Sequence, residues 1–226
     1  MRNRTGNLSV ALERQLGAYA LAASAAGVGM LALAQSAEAK IVYTHVNVPI
    51  KFGWGQGDLV QIDLNHDGIN DFALSASSTD TEGVGHVQLK ALPDQSSNEI
   101  VGQTSKGRMC AAALRKNQRV GVRRPFQQGA LYMWFGGHTT NWGTDWGPWR
   151  DVNGARFLGL KFVVKSKTHY GWARVNMTTL RLTGYAYETI PDKAIITGQT
   201  EGSQERINAP LGALAAGAAA ASTRRK

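Results

Sequence analysis

Phe157-Leu158-Gly159-Leu160-Lys161-Phe162-Val163-Val164 leads through Lys165-Ser166-Lys167-Thr168 into Gly171-Trp172-Ala173-Arg174-Val175-Asn176-Met177. Two short runs of β-branched and aromatic residues, each holding a glycine and joined by a polar link, read as two strands and a hairpin connection rather than as helices. Working outward, Ile41-Val42-Tyr43-Thr44-His45-Val46-Asn47-Val48 and Leu59-Val60-Gln61-Ile62-Asp63 alternate with period two. Leu180 to Glu188 and Ala194 to Gly198 supply further strands. Many short strands bounded by Gly, Asn, Asp and Pro predict an all-β domain: an antiparallel β-sandwich, jelly-roll-like, or a partial barrel. Within the domain, helix is expected only as a turn or two near Arg108–Lys116. No period of about 20–50 residues recurs, which excludes a repeat array.

The two ends read as addresses. Arg2 and Arg4 precede an apolar, uncharged run through Leu16-Gly17-Ala18-Tyr19-Ala20-Leu21 to Leu31-Ala32-Leu33-Ala34, followed by Ala37-Glu38-Ala39-Lys40. A basic start, an apolar helix and small residues before the junction are the parts of a secretory signal peptide, with cleavage after Ala39; an uncleaved membrane anchor is the competing reading. The other end, Ala209-Pro210-Leu211-Gly212-Ala213-Leu214-Ala215-Ala216-Gly217-Ala218 onward to Arg224-Arg225-Lys226, is a short Ala-rich helix with a basic tip. That apolar stretch is too short to span a bilayer securely. It reads either as a sorting tail or as a simple Ala-rich helix. The chain thus divides into a signal peptide at 1–39, a β domain at 40–200, and a linker with a tail at 201–226. Any membrane contact would run through these terminal segments.

Charge argues against nucleic acid once it is located. The formal charge is +9, from 25 Lys and Arg against 16 Asp and Glu. Residues 1–39 and 209–226 hold six of the bases and two of the acids, which leaves 19 against 14, or +5, for the rest. Arg115, Lys116, Arg119, Arg123 and Arg124 cluster, but without the interleaved aromatics of a single-strand groove, so they read as a solvated face. Cys110 is the single cysteine, so no intramolecular disulfide forms. Its neighbours in Met109-Cys110-Ala111-Ala112-Ala113-Leu114 predict a buried, unreactive thiol.

The motif with a definite chemistry is Asp63-Leu64-Asn65-His66-Asp67-Gly68-Ile69-Asn70-Asp71. Oxygen-bearing side chains stand at Asp63, Asn65, Asp67 and Asp71, and the carbonyl of Ile69 can add another oxygen. Calcium is a hard cation that takes about six to eight oxygen ligands, and alternate residues of one loop can converge on a single centre. Gly68 permits the sharp turn such a loop requires. An EF-hand would carry Glu where this chain has Leu74, and its flanks would be helices; here Val60 and Ile62 precede the loop and Phe72 and Leu74 follow it. The competing reading is an Asn/Asp/Gly turn without metal.

Tyr132-Met133-Trp134-Phe135, with Trp142, Trp146 and Trp149 among glycines, allows two readings. Exposed Trp faces stack on pyranose rings, which would make Trp134, Trp142, Trp146 and Trp149 a carbohydrate-binding surface for extracellular polysaccharide. Buried Trp equally anchors a sandwich core. His66, His138 and His169 lack metal-ligand spacing, and no nucleophile motif is present. Asp145, Asp151 and Glu188 are the scattered acids that a hydrolase reading would have to use.

The loop from Asp63 to Phe72 resembles the strand-flanked calcium loops of FG-GAP and thrombospondin-type modules. Together with Arg156-Phe157-Leu158-Gly159-Leu160-Lys161-Phe162, His169-Tyr170-Gly171-Trp172-Ala173-Arg174, Leu182-Thr183-Gly184-Tyr185-Ala186-Tyr187-Glu188-Thr189-Ile190-Pro191 and the Leu/Ala/Gly tail with its basic tip, it resembles a family of exported bacterial proteins of unknown function. The tail is similar to the PEP-CTERM class of sorting tails, although the Pro-Glu-Pro motif itself is missing. The resemblance implies export, attachment to the cell envelope, and calcium as a structural ion; it implies no activity. The sequence therefore predicts a non-enzymatic, secreted or surface-attached β domain with one calcium site.

Overall fold

The computed structural model describes residues 40–55, 57–81, 84–138 and 143–202. The expected helices at the two ends, and Trp142, lie outside the described residues. The strands are β1 (Ile41–Thr44), β2 (Val48–Pro49), β3 (Gly53–Trp54), β4 (Asp58–Ile62), β5 (Phe72–Thr81), β6 (Val84–Pro93), β7 (Glu99–Ser105) and β8 (Arg108–Ala111). They continue as β9 (Arg119–Val120), β10 (Phe126–Gln127), β11 (Leu131–His138), β12 (Gly143–Trp146), β13 (Ala155–Val164), β14 (Lys167–Asn176), β15 (Arg181–Glu188) and β16 (Ile195–Ile196). Among the described residues there is no helix, and the domain is all-β as the short period-two segments predict.

The helical turn expected near Arg108–Lys116 does not form. Arg108–Ala111 is a strand, not a helical turn, because Lys106 (φ 48°) and Gly107 (φ 74°) close a two-residue hairpin that pairs Ser105 with Arg108. Two successive left-handed residues match the right-handed twist of the flanking strands. Cys110 and Ala111 are then fully buried, and burial outweighs the helix preference of the alanine run. The Phe157 hairpin forms in full register, with Val164 paired to Lys167 and only Lys165 (φ 48°) and Ser166 (φ 62°) in the turn.

The strands join in the order β1-β15-β14-β13-β7-β8-β11-β6-β5-β3. Most neighbours are antiparallel, as expected, but β8 with β11 and β3 with β5 run parallel, so the sheet is mixed. The chain between β8 and β11 carries β9 and β10, which gives it the length to return in the same direction. The sheet curls, and strands from both ends of its path fill one core: Val60, Ile62, Phe72 and Leu74 meet Leu158, Leu160, Phe162, Val175, Leu182 and Tyr185. A second cluster on the opposite face of β13–β15 holds Val101, Leu114, Val120, Phe157, Tyr170, Trp172 and Ile195. In β13 the even positions Leu158, Leu160 and Phe162 serve the first cluster while Phe157 serves the second, which is the alternation expected of a strand buried on both faces. Between Arg174 and Val175 the β14–β15 register shifts, and the bulge brings both Leu182 and Tyr185 to the first cluster.

Candidate metal centre

The nine-residue motif is the loop between β4 and β5, entered after Ile62 and left before Phe72. Its ends are fixed by the last rung of the ladder and by the Asp71 amide, which donates to the Ile62 carbonyl at 2.9 Å. Leu64 is fully buried in the main core and holds the loop down. A side chain at Gly171 of β14 would meet the Ala186 carbonyl at 2.7 Å and Leu64 Cδ1 at 3.5 Å, so glycine there makes room where the loop lands. The loop thus belongs in sequence to β4 and β5, near one end of the sheet path, and rests on β14 and β15, near the other. His66 Nε2 and Thr44 Oγ1 of β1 lie 2.7 Å apart, a second tie across the same seam.

Inside the loop the side chains and backbone organise each other. Asp63 Oδ1 accepts the His66 amide at 2.7 Å and its Oδ2 accepts the Gly68 amide at 2.9 Å. Asp67 Oδ1 accepts the Ile69 amide at 2.9 Å, and Asp67 Oδ2 accepts the Asn65 side-chain amide at 2.9 Å. Such local bonds are what Asp and Asn offer a turn. Gly68 sits at φ 85° with open space where a Cβ would stand, so its requirement is backbone conformation rather than room.

Asp71 differs from the other acids. It is buried, its Oδ2 accepts the Leu64 amide at 2.8 Å, and its carbonyl accepts the Asp94 amide at 2.9 Å and the Asn98 side chain at 3.0 Å. Burial, with the negative charges of Asp63 and Asp67 behind it, pushes its carboxyl from an ordinary 3.8 up to about 6, against the lowering pull of the Leu64 amide. Burial also pushes the Tyr185 and Tyr187 hydroxyls up, with Asp63 acting on the first and Asp71 on the second. The charges of Asp63 and Asp67 thus add to burial in disfavouring an ionised Asp71 at the seam.

Among the described residues, no three His, Cys, Asp or Glu side chains converge as a metal-binding group. Asn65 and the Ile69 carbonyl fall outside that donor set, and each carboxylate oxygen has more than one lone pair to give. Asp63, Asn65, Asp67, Ile69 and Asp71 are thus brought into one loop, all with oxygen donors, and the carboxylates of Asp63 and Asp67 are turned toward the loop's own amides. Oxygen is the donor type that a hard cation takes.

The tryptophans separate. Trp149 is fully buried, with its indole N–H donating to the Ala111 carbonyl at 2.9 Å, which corrects its place in any ligand surface. Trp134 is half-buried, packs on the main core and meets Phe52 edge-on at 5.9 Å. Trp146 is half-buried and stacks on Phe135 at 5.2 Å. Of the scattered acids, Asp145 and Asp151 lie 3.5 and 3.6 Å from Arg150, while Glu188 is buried beside Lys193 at 3.7 Å and accepts the Ile190 amide. Sequence reasoning missed Leu64, Gly171, Thr44 and Asn98 as supports of the loop. Only the apolar Leu64 inside a polar motif gave a signal. Comparison of the chain with protein-family models, curated proteins and solved structures finds no match.

Proposed function

We propose that this protein is a non-enzymatic, exported β-domain protein, secreted or attached at the cell surface, whose β4–β5 loop takes one structural calcium ion. The observation that carries the reading is a nine-residue loop that gathers three carboxylates, with Asp71 buried beside the charges of Asp63 and Asp67, while the loop bridges the two ends of a curled sheet. Asp63, Asn65, Asp67 and Asp71 would hold the ion through side-chain oxygens, and Ile69 through its carbonyl. A divalent cation there offsets the repulsion at the seam and stiffens the closure that sandwich-like packing needs. The signal-type N-terminus and the basic-tipped tail support export to an environment where calcium is abundant.

Thermal melts of the mature chain in calcium and in chelator test this. A ligand that binds only the folded state adds RT ln(1 + [L]/Kd), about 2.7 kcal/mol at a hundredfold excess over Kd. Asp67→Ala should abolish most of the shift, and Asp151→Ala, an exposed acid outside the loop, should leave it intact. Equal midpoints for the wild type in the two conditions refute the reading.

A further inference from the structure

The outer face of β11 is aromatic. Its register shifts between Tyr132 and Trp134, so Met133 and Trp134 both serve the core, while the rings of Tyr132 and Phe135 come within 6.0 Å of each other. Trp146 of β12, paired with Phe135, meets Tyr132 at 5.0 Å, and His86 of β6 extends the band at 5.5 Å from Phe135. Beside this band the β7–β8 hairpin and the turn after β12 bound a half-open cleft of about 610 Å³. That volume suits a ligand of one or two sugar rings.

The cleft is cationic. Lys106 and Arg108 come from the hairpin and Arg150 from the turn, with Asp145 as the acid in the wall. Arg150 is shared between Asp145 and Asp151, whereas neither Lys106 nor Arg108 lies within 4.0 Å of a carboxylate among the described residues. The Arg108 guanidinium sits over the Trp146 ring, 4.8 Å from its centroid, which holds its planar donor fork in place. The Lys106 ammonium donates to the Asp145 carbonyl at 3.1 Å and keeps further N–H groups to give. His86, in the same wall, has a buried Nδ1 without a hydrogen-bond partner.

We infer that this cleft binds an acidic polysaccharide through the carboxylate of a uronate unit. A preorganised arginine fork and a neighbouring ammonium recognise an oxyanion. Asp145 in the wall favours a singly charged group over a dianion such as phosphate. Phe135 and Arg108 already cover Trp146, so the indole is a wall and the charge does the selecting; a neutral sugar has little to hold it. The cleft is half-open, so the rest of a chain can extend past its mouth. This site is separate from the calcium loop and does not depend on it.

The test is titration calorimetry of the mature chain with glucuronate-containing oligosaccharides, free glucuronate, neutral dextran oligosaccharides and inorganic phosphate, in calcium and in chelator. The uronate oligosaccharide should bind in both, with free glucuronate weaker and the neutral sugar and phosphate silent. Lys106→Gln and Arg108→Gln should each cost about 10-fold in affinity. Arg108→Lys keeps the charge without the fork and should lose a smaller part. Arg123→Gln, which removes the same charge on another face, should change affinity less than about 2-fold. Unchanged melting midpoints identify variants that fold. An equal loss in Arg123→Gln, binding of the neutral sugar at the same strength, tighter binding of phosphate, or no binding of the uronate oligosaccharide would each overturn the assignment. Free glucuronate binding as tightly as the oligosaccharide would overturn its polymeric part.

Discussion

Replacing Asp71 by Asn should stabilise the protein without calcium and destabilise it with calcium. In chelator, burial of the Asp71 carboxylate, with the charges of Asp63 and Asp67 adding to it, raises its pKa from 3.8 to about 6. A folded-state value above the unfolded one means that the folded chain keeps a proton the unfolded chain has released. The stabilising effect of that proton is complete below about 3.8 and is lost as pH rises through about 6. At about 1.4 kcal/mol for each tenfold change in proton affinity, the rise bounds the loss near 3 kcal/mol; solvent at the loop surface reduces it to about 1–2 kcal/mol. Asn removes the charge, keeps an oxygen for the Leu64 amide, and should recover most of that loss at pH 7.5. In a domain of this size the gain is a rise in Tm of about 2–6 °C. In excess calcium the same substitution deletes a charged ligand, so the variant should melt below the wild type. The assay is a set of thermal melts of both proteins between pH 4 and 7.5, in calcium and in chelator. A variant that is less stable than the wild type in chelator at pH 7.5, or a wild type whose stability in chelator rises between pH 4 and 6, would refute the reasoning.

Lys165 and Ser166 both hold left-handed conformations in the β13–β14 turn, a geometry that Asn and Gly adopt at lower cost. Lys165→Asn with Ser166→Gly should add about 1 kcal/mol or more, read as an upward shift in the denaturant midpoint; an unchanged or lower midpoint counts against the turn. Cys110 is fully buried, and burial pushes its thiol above the ordinary value against the lowering effect of Arg108. Its labelling by a thiol reagent at neutral pH should run about 100-fold slower in the native protein than in denaturant, and comparable rates would contradict its placement. Exported protein should begin at Lys40, and N-terminal sequencing that finds Leu16–Leu33 still attached would defeat the signal-peptide reading.

The sheet was legible because its strands alternate cleanly: Val60 and Ile62 face the core while Leu59 is 58% exposed. The Phe157 hairpin was legible for the same reason, with its turn closing two residues tighter than the polar link suggests. The β8 strand was not, since alanines and a methionine favour a helix locally and only the burial of Cys110 and Ala111 against distant strands reverses that preference. The parallel contacts of β8 with β11 and β3 with β5 depend on connection paths that no local pattern encodes. In the loop, the ligand-type residues could be read from spacing, but its place at the seam could not. Thr44, Gly171 and Asn98 reach it from strands and turns far along the chain. The cationic cleft was hidden for the same reason, with Lys106, Arg108 and Arg150 lying in segments that look like ordinary charged turns until the strands assemble.

Titration calorimetry of calcium into the chelator-stripped mature chain at pH 7.5 asks whether the Asp63–Asp71 loop takes one calcium ion in the folded protein. One site per chain is expected, lost in Asp63→Ala and Asp67→Ala and retained in Asp151→Ala, with magnesium a poor substitute because it demands a smaller, stricter octahedral site. Absence of a binding heat for the wild type, together with the same melting midpoint in calcium and in chelator, would contradict it.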